Sequence, residues 1–187
     1  MHILTKSPLI LKFNLSNIFV NKMTEEIISY LNIFRRFIDS ENYSNFTFIP
    51  EKNTHILINN TKHLLKKAFN KITFKKSEPK VYACIFDKSF QKTAWHNHIS
   101  SSTITTVFYL KLTKQDNGIN FKINNNQIFN YKPVLYDLLF FANYVDHMPE
   151  IPSDINDDFR VSINIDYLCE EKSQEILTME NYANRSI

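Results

Sequence analysis

Glycine is almost absent from this chain: Gly118 is the single one in 187 residues. Turns must therefore be made by Asn, Asp and Pro, of which Asn tolerates left-handed backbone best. Cysteine is also scarce. Cys84 and Cys169 lie far apart, each in an apolar run, which predicts two reduced, buried thiols rather than a disulfide framework. Charge of one sign is lacking as well. A formal net charge of +3 gives no basis for nucleic acid or an acidic membrane as partner. No apolar run is long enough to span a bilayer. The N-terminal patches of "MHILTKSPLILKFNLSNIFV" are broken by Lys6, Pro8, Lys12 and Asn14 and do not form a signal-peptide core. These absences predict a cytoplasmic protein.

What is present is apolar and aromatic. Hydrophobic residues make up 43% of the chain, with 16 Phe and 9 Tyr, which fits one globular domain with a sizeable aromatic core. From Thr24, a plausible N-cap followed by Glu25 and Glu26, apolar residues recur at three- and four-residue steps through Ile27, Ile28, Leu31, Phe34 and Ile38. "NTKHLLKKAFNKI" (60–72) predicts a second helix. It places Leu64, Leu65, Ala68, Phe69 and Ile72 on one face and His63 on the exposed side.

The texture changes after Pro79. "KVYACIFDK", "ITTVFYLKLT", "GINFKIN", "NQIFNYKP", "LYDLLFFAN" and "FRVSINIDYL" are short, rich in β-branched and aromatic residues, and bounded by turn residues. Asn117-Gly118 in "QDNG" predicts a two-residue hairpin turn, and "INNNQ" another turn. The expected architecture is α+β. A mainly helical N-terminal layer (1–78) packs on one sheet of a jelly-roll core (79–170), and a polar tail follows (171–187). Such barrels keep small-ligand sites in their mouths.

Two histidines stand at the entry to the strand-rich half. In "WHNH", His96 and His98 share a face if the segment is extended, so both imidazoles can enter one cavity as metal ligands. The competing reading is a solvated strand edge. His147 lies downstream, past about two hairpins of chain, where it can return beside the pair. Arg160 and Ser162 sit two apart on the last strand, opposite Val161 and Ile163. Together they form a carboxylate clamp. The alternative is an arginine at a wet edge, paired with Asp157 or Asp158.

In order and spacing, the stretch from His96 to Ile165 resembles the iron(II)/2-oxoglutarate-dependent oxygenases. The likeness is greatest to a branch of small oxygenases whose first metal motif reads HxH. "HNH" runs into "VFYL", "NGINF" fills the intervening turn, and Pro133, "LLFF" and His147 follow in order. "RVSINIDY" matches the closing strand. Three departures stand out. Tyr136 occupies the place of a glycine three residues after the proline. Thr105 and Thr106 replace small residues before "VFYL", one residue further from the HxH. The usual carboxylate ligand has no obvious counterpart.

The resemblance implies a double-stranded β-helix, cupin-like core and a dioxygenase that uses Fe(II), 2-oxoglutarate and O2. Such an enzyme releases succinate and CO2 and hydroxylates a small-molecule or peptide substrate. It implies His96, His98 and His147 as metal ligands, with His98 in the carboxylate's place ahead of Asp146 or Asp87. It also implies Arg160 and Ser162 on the distal carboxylate of 2-oxoglutarate. Tyr109 and Tyr82 lie within reach of the cosubstrate, with core packing as their alternative. Trp95 is core or pocket wall. Ser100, Ser101 and Ser102 read as a solvated turn, since no relay stands beside them. The oligomeric state stays open, a homodimer included. Two rival functions remain: a three-histidine cupin-type dioxygenase that needs no 2-oxoglutarate, and a non-catalytic binding member of the fold.

Overall fold

In a computed structural model, the described residues are 2–6, 9–15, 25, 45–47, 52–69, 71–87, 93–123, 127–154 and 158–170. They form ten strands and one long helix: β1 (His2–Lys6), β2 (Leu9–Asn14), β3 (Asn45–Thr47), α1 (Lys52–Ala68), β4 (Lys80–Phe86), β5 (Ile104–Lys111), β6 (Ile119–Lys122), β7 (Ile128–Tyr131), β8 (Asp137–Ala142), β9 (His147–Pro149) and β10 (Arg160–Tyr167). A seven-stranded sheet runs β1-β2-β8-β5-β10-β4-β3, and a three-stranded sheet runs β7-β6-β9. Every pairing is antiparallel. This is the expected jelly-roll core, with all six strands anticipated after Pro79 in place.

The central strands are buried on both faces, as the uninterrupted apolar runs of β5 and β8 require. One face of β10 carries Val161, Ile163, Ile165 and Tyr167, all at most 1% exposed. Helix α1 covers that side. Thr54, Leu57, Ile58, Thr61, Leu65 and Ala68 recur at helical spacing and are buried. The Tyr167 hydroxyl bonds Thr61 and donates to the Ile58 carbonyl, at 3.3 Å from the latter. The other face of β10 carries Arg160, Ser162, Asn164 and Asp166 and looks toward the smaller sheet. The sheets meet through Phe121 against Phe141, with ring centroids 5.2 Å apart, and through the Tyr131 hydroxyl on Asp137.

Several expectations are corrected. The N-terminal layer, expected to be mainly helical, also supplies strands to the large sheet: β2 pairs onto β8 and β1 onto β2. Helix α1 begins at Lys52, eight residues ahead of the sequence reading, and ends at Ala68. The helix expected from Thr24, the turn at 124–126 and the tail after Glu170 lie outside the described residues, apart from a helical Glu25.

"QDNG" is not a hairpin turn. Strand β5 pairs with β8 and β10, while β6 pairs with β7 and β9, so the segment carries the chain from one sheet to the other. Asp116 Oδ1 accepts the Gly118 N–H at 2.8 Å, and Gly118 has φ +81. A Cβ there would land on the Tyr131 carbonyl oxygen, so this crossing requires the one glycine.

Candidate metal centre

The chain brings His96, His98 and His147 together: one ligand atom from each lies within 4.8 Å of the others. Backbone pairing does this. His96 and His147 form an antiparallel bridge, with N–H to carbonyl distances of 3.0 and 2.9 Å in the two directions. The His98 N–H donates to the Asn143 carbonyl, and its own carbonyl accepts from Ser101 and Ser102. Ring centroids stand 4.2 to 5.5 Å apart. His98 and His147 are buried at 8% and 3% exposure, which rules out a wet strand edge for them, while His96 stays open to solvent.

Each ring is fixed by its Nδ1. His96 Nδ1 sits 3.0 Å from the Ala94 carbonyl and His147 Nδ1 3.0 Å from the Val145 carbonyl, each two residues upstream. His98 Nδ1 sits 3.2 Å from Asp166 Oδ2. Carbonyl and carboxylate oxygens can only accept, so each Nδ1 carries a proton, and in the neutral ring the lone pair then sits on Nε2. This tautomer pattern is the one metal-binding histidines adopt. Burial, with His96 close by, pushes the His147 pKa down to about 3, so this ring is neutral at any ordinary pH.

Asp146 is not part of the cluster. Its carboxylate takes the Asn97 amide at 2.9 Å and Lys122 Nζ at 3.3 Å, and these partners hold its pKa low. Asp87 follows β4 directly and likewise lies outside the cluster. Trp95 is half-buried beneath Lys122, whose Nζ lies 4.8 Å from the ring centroid. Ser100 and Ser101 are in an exposed turn, but Ser102 is buried and its Oγ meets Thr105 Oγ1 at 3.2 Å.

Arg160 lies at the far end of the same β10 face. It is 1% exposed, not at a wet edge. Its Nη1 donates to Asp116 Oδ1 at 2.9 Å and to the Gly118 carbonyl at 3.2 Å, and its guanidinium carbon stacks 4.1 Å over the Phe86 ring. The partner is thus Asp116 rather than Asp157 or Asp158. Asp158 pairs with Lys111, and Asp157 is outside the described residues. Arg160 Nε and Asp116 Oδ2 are buried with no partner, as is Asn164 Oδ1 between the two ends. Ser162 is buried beside them, and Tyr109 stands opposite it on β5. Burial raises the Tyr109 pKa. Tyr82 faces Asn164 from β4. Cys84, opposite Ser162, accepts from the Asn164 amide at 3.0 Å, and burial pushes its thiol up to about 12.

No family model matches the chain, and no curated protein matches it in sequence. Solved structures do. A non-heme alpha-ketoglutarate-dependent carbocyclase, SnoK of nogalamycin biosynthesis, superposes with a TM-score of 0.69 at 10% identity, over 87% of this chain and 80% of that one. A prolyl hydroxylase from Trichoplax adhaerens, in complex with a peptide fragment of hypoxia inducible factor, gives 0.65 at 11% identity, over 95% and 87%. A Pseudomonas putida prolyl-4-hydroxylase gives 0.60 at 11%, over 86% and 92%. The fold is that of the iron(II)/2-oxoglutarate oxygenases. Within that fold, the triad occupies one end of the inner β10 face and Arg160 the other.

Two residues that matter to the site escaped the sequence reading. Asp166 closes the polar series Arg160, Ser162, Asn164 on one face of β10, and that alternation was the signal for it. Asp116 lay hidden in a segment whose turn chemistry pointed to a hairpin.

Proposed function

We propose that this chain is a 2-oxoglutarate- and Fe(II)-dependent dioxygenase that hydroxylates a small-molecule or peptide substrate. The observation that carries the reading is the matched anchoring of three Nδ1 atoms, which leaves Nε2 of each ring as its ligand atom in one cluster. Three imidazoles suit a first-row divalent metal and leave coordination positions open on it. The unpartnered Arg160 Nε is a buried donor in need of an acceptor, and the distal carboxylate of 2-oxoglutarate would be one.

In this reading His96, His98 and His147 would hold the iron. Arg160, with Ser162 and Tyr109, would bind the cosubstrate's far end. Bound together, iron and 2-oxoglutarate supply the oxidising chemistry, in which O2 is consumed and the cosubstrate is split to succinate and CO2. The chain's own contributions are orientation and exclusion of water. Asp116 and Gly118 fix the guanidinium from its Nη1 side, so Nε points to one place. Phe121, Phe141 and Val145 wall the metal end with apolar surface. A structural neighbour solved with a bound peptide makes a peptide substrate as reasonable as a small molecule.

A second reading has its own support. A three-histidine set without a carboxylate, and an arginine already paired with Asp116, would equally suit a cupin-type dioxygenase that needs no 2-oxoglutarate. Calorimetric titration separates the two. With Mn(II) in place of iron, the first reading expects 2-oxoglutarate to bind, and succinate to form once Fe(II) and O2 are supplied. Metal binding with O2 uptake but no affinity for 2-oxoglutarate favours the second. Absence of any metal binding leaves a non-catalytic binding module.

A further inference from the structure

The three histidines are anchored unequally. His96 and His147 each lean on a neutral backbone carbonyl two residues upstream. Only His98, in the position where the oxygenase pattern has a carboxylate ligand, leans on a charged group: Asp166 Oδ2, at 3.2 Å. The Asp166 side chain is 1% exposed, and its other oxygen accepts from Thr105 Oγ1 at 2.9 Å. Thr105 in turn meets Ser102, whose N–H bonds the His98 carbonyl. The chain Ser102–Thr105–Asp166–His98 thus closes on itself around the ligand.

The charge of Asp166 is unbalanced. Among the described residues, the other buried ion-paired carboxylates have full cations beside them: Asp137 has Lys12 at 3.2 Å and Asp116 has Arg160 at 2.9 Å. Asp166 has only His98. A buried carboxylate without a cation is costly. A divalent ion on the far side of the His98 ring would offset it through the imidazole, whose donor strength rises when its other N–H is held by an anion.

We infer that Asp166 is a positioning residue that supplies, through His98, the negative charge that a two-histidine, one-carboxylate site places directly on the metal. The carboxylate has moved one residue out rather than being lost. This rests on the triad being a metal site, as proposed above.

The test is Mn(II) affinity, read by the electron-spin signal of free Mn(II), in four proteins: wild type, Asp166→Asn, His98→Asp and the double variant. In the wild-type background, Asp166→Asn should weaken Mn(II) binding by about 10- to 100-fold. In the His98→Asp background the effect should largely disappear. There the carboxylate sits in the ligand position itself and no imidazole relays the charge of Asp166, so Asp166→Asn should change Mn(II) binding far less than in the wild-type background. Weakening by the same factor in both backgrounds would mean that Asp166 only braces β10 against Thr105, and would overturn the inference. If Asp166→Asn does not fold, Asp166→Ser in the same two backgrounds reads the same loss of effect. If the wild-type chain takes no Mn(II), the metal reading itself fails and this inference with it.

Discussion

The inner face of β10 has two unlike ends. At the metal end the groups that brace the ligands have their partners: three Nδ1 atoms on three acceptors, and both Asp166 oxygens occupied. At the other end Arg160 Nε and Asp116 Oδ2 are buried and unmet. Under the proposed function, the difference separates a site organised before its ligand arrives from one completed by it. A metal centre needs its ligands' orientation fixed in advance, because three lone pairs must converge. A cosubstrate pocket instead leaves polar atoms for the guest to satisfy.

The sharpest way to break this contrast is Arg160→Ala. It should abolish measurable affinity for 2-oxoglutarate while metal affinity stays, since no histidine is touched. It should also cost about 3–5 kcal/mol of stability, because Asp116 is left as a lone buried charge. Denaturant unfolding checks the second part. Removing Asp116 as well should recover much of the stability and none of the cosubstrate affinity. Equal loss of metal and 2-oxoglutarate from the single variant would show that the two ends do not work separately.

Gly118→Ala strikes the same end from the backbone. The new Cβ meets the Tyr131 carbonyl, and φ is positive, so a loss of more than about 2 kcal/mol is expected. The Gly118 carbonyl also holds Arg160 Nη1, so 2-oxoglutarate should bind more weakly in whatever fraction folds, with Mn(II) affinity unchanged.

At the metal end the lever is pH. The His147 pKa is depressed from 6.5 to about 3 in the fold, chiefly by burial. The unfolded chain therefore takes up a proton below 6.5 that the folded chain refuses. The metal-free protein should lose stability as pH falls below 6.5, by about 1.4 kcal/mol per unit once well below it, until about pH 3. Urea midpoints at pH 7.5 and 5 measure this. Saturating Mn(II) should preserve stability to lower pH, and His147→Phe should flatten the dependence. Arg160→Ala should leave the slope alone.

The strand-rich half was legible because its runs are short and β-branched, with turn residues between them. The order His96, His98, His147, Arg160 was legible for the same reason: alternation tells which residues share a face. The strands at the N-terminus were not. Leu9, Ile10, Leu11 and Phe13 are nearly continuous in hydrophobicity, since β2 lies between β1 and β8, and Lys6, Pro8 and Lys12 disguise that as broken patches. Asp116 was hidden because Asp-Asn-Gly favours a tight turn whether the chain returns to its own sheet or crosses to the other. Local chemistry fixes the bend, but only the partner strand decides where it leads.

Tyr136 offers the smallest effect and the clearest comparison. It stands where the oxygenase pattern has glycine, and its φ is +69, the one positive value among the described non-glycine residues. The backbone takes a left-handed conformation that glycine adopts most easily, without the glycine. What holds it there is local. Its N–H donates to the Tyr109 carbonyl at 2.9 Å, its carbonyl accepts from Leu15, and its ring stacks on Phe108 with centroids 6.4 Å apart. Replacing Tyr136 with Gly or Ala removes the ring in both cases, so the difference between the two variants isolates the cost of a Cβ at positive φ. Tyr136→Gly should be more stable than Tyr136→Ala by about 1 kcal/mol, the reverse of their order in a helix. Because the Tyr136 N–H holds the Tyr109 carbonyl, and Tyr109 stands opposite Ser162, Tyr136→Ala should also weaken 2-oxoglutarate binding more than Tyr136→Gly does. Equal stabilities would mean that the turn relaxes to negative φ once the ring is gone, and that packing on Phe108, not the sheet crossing, imposes the strain.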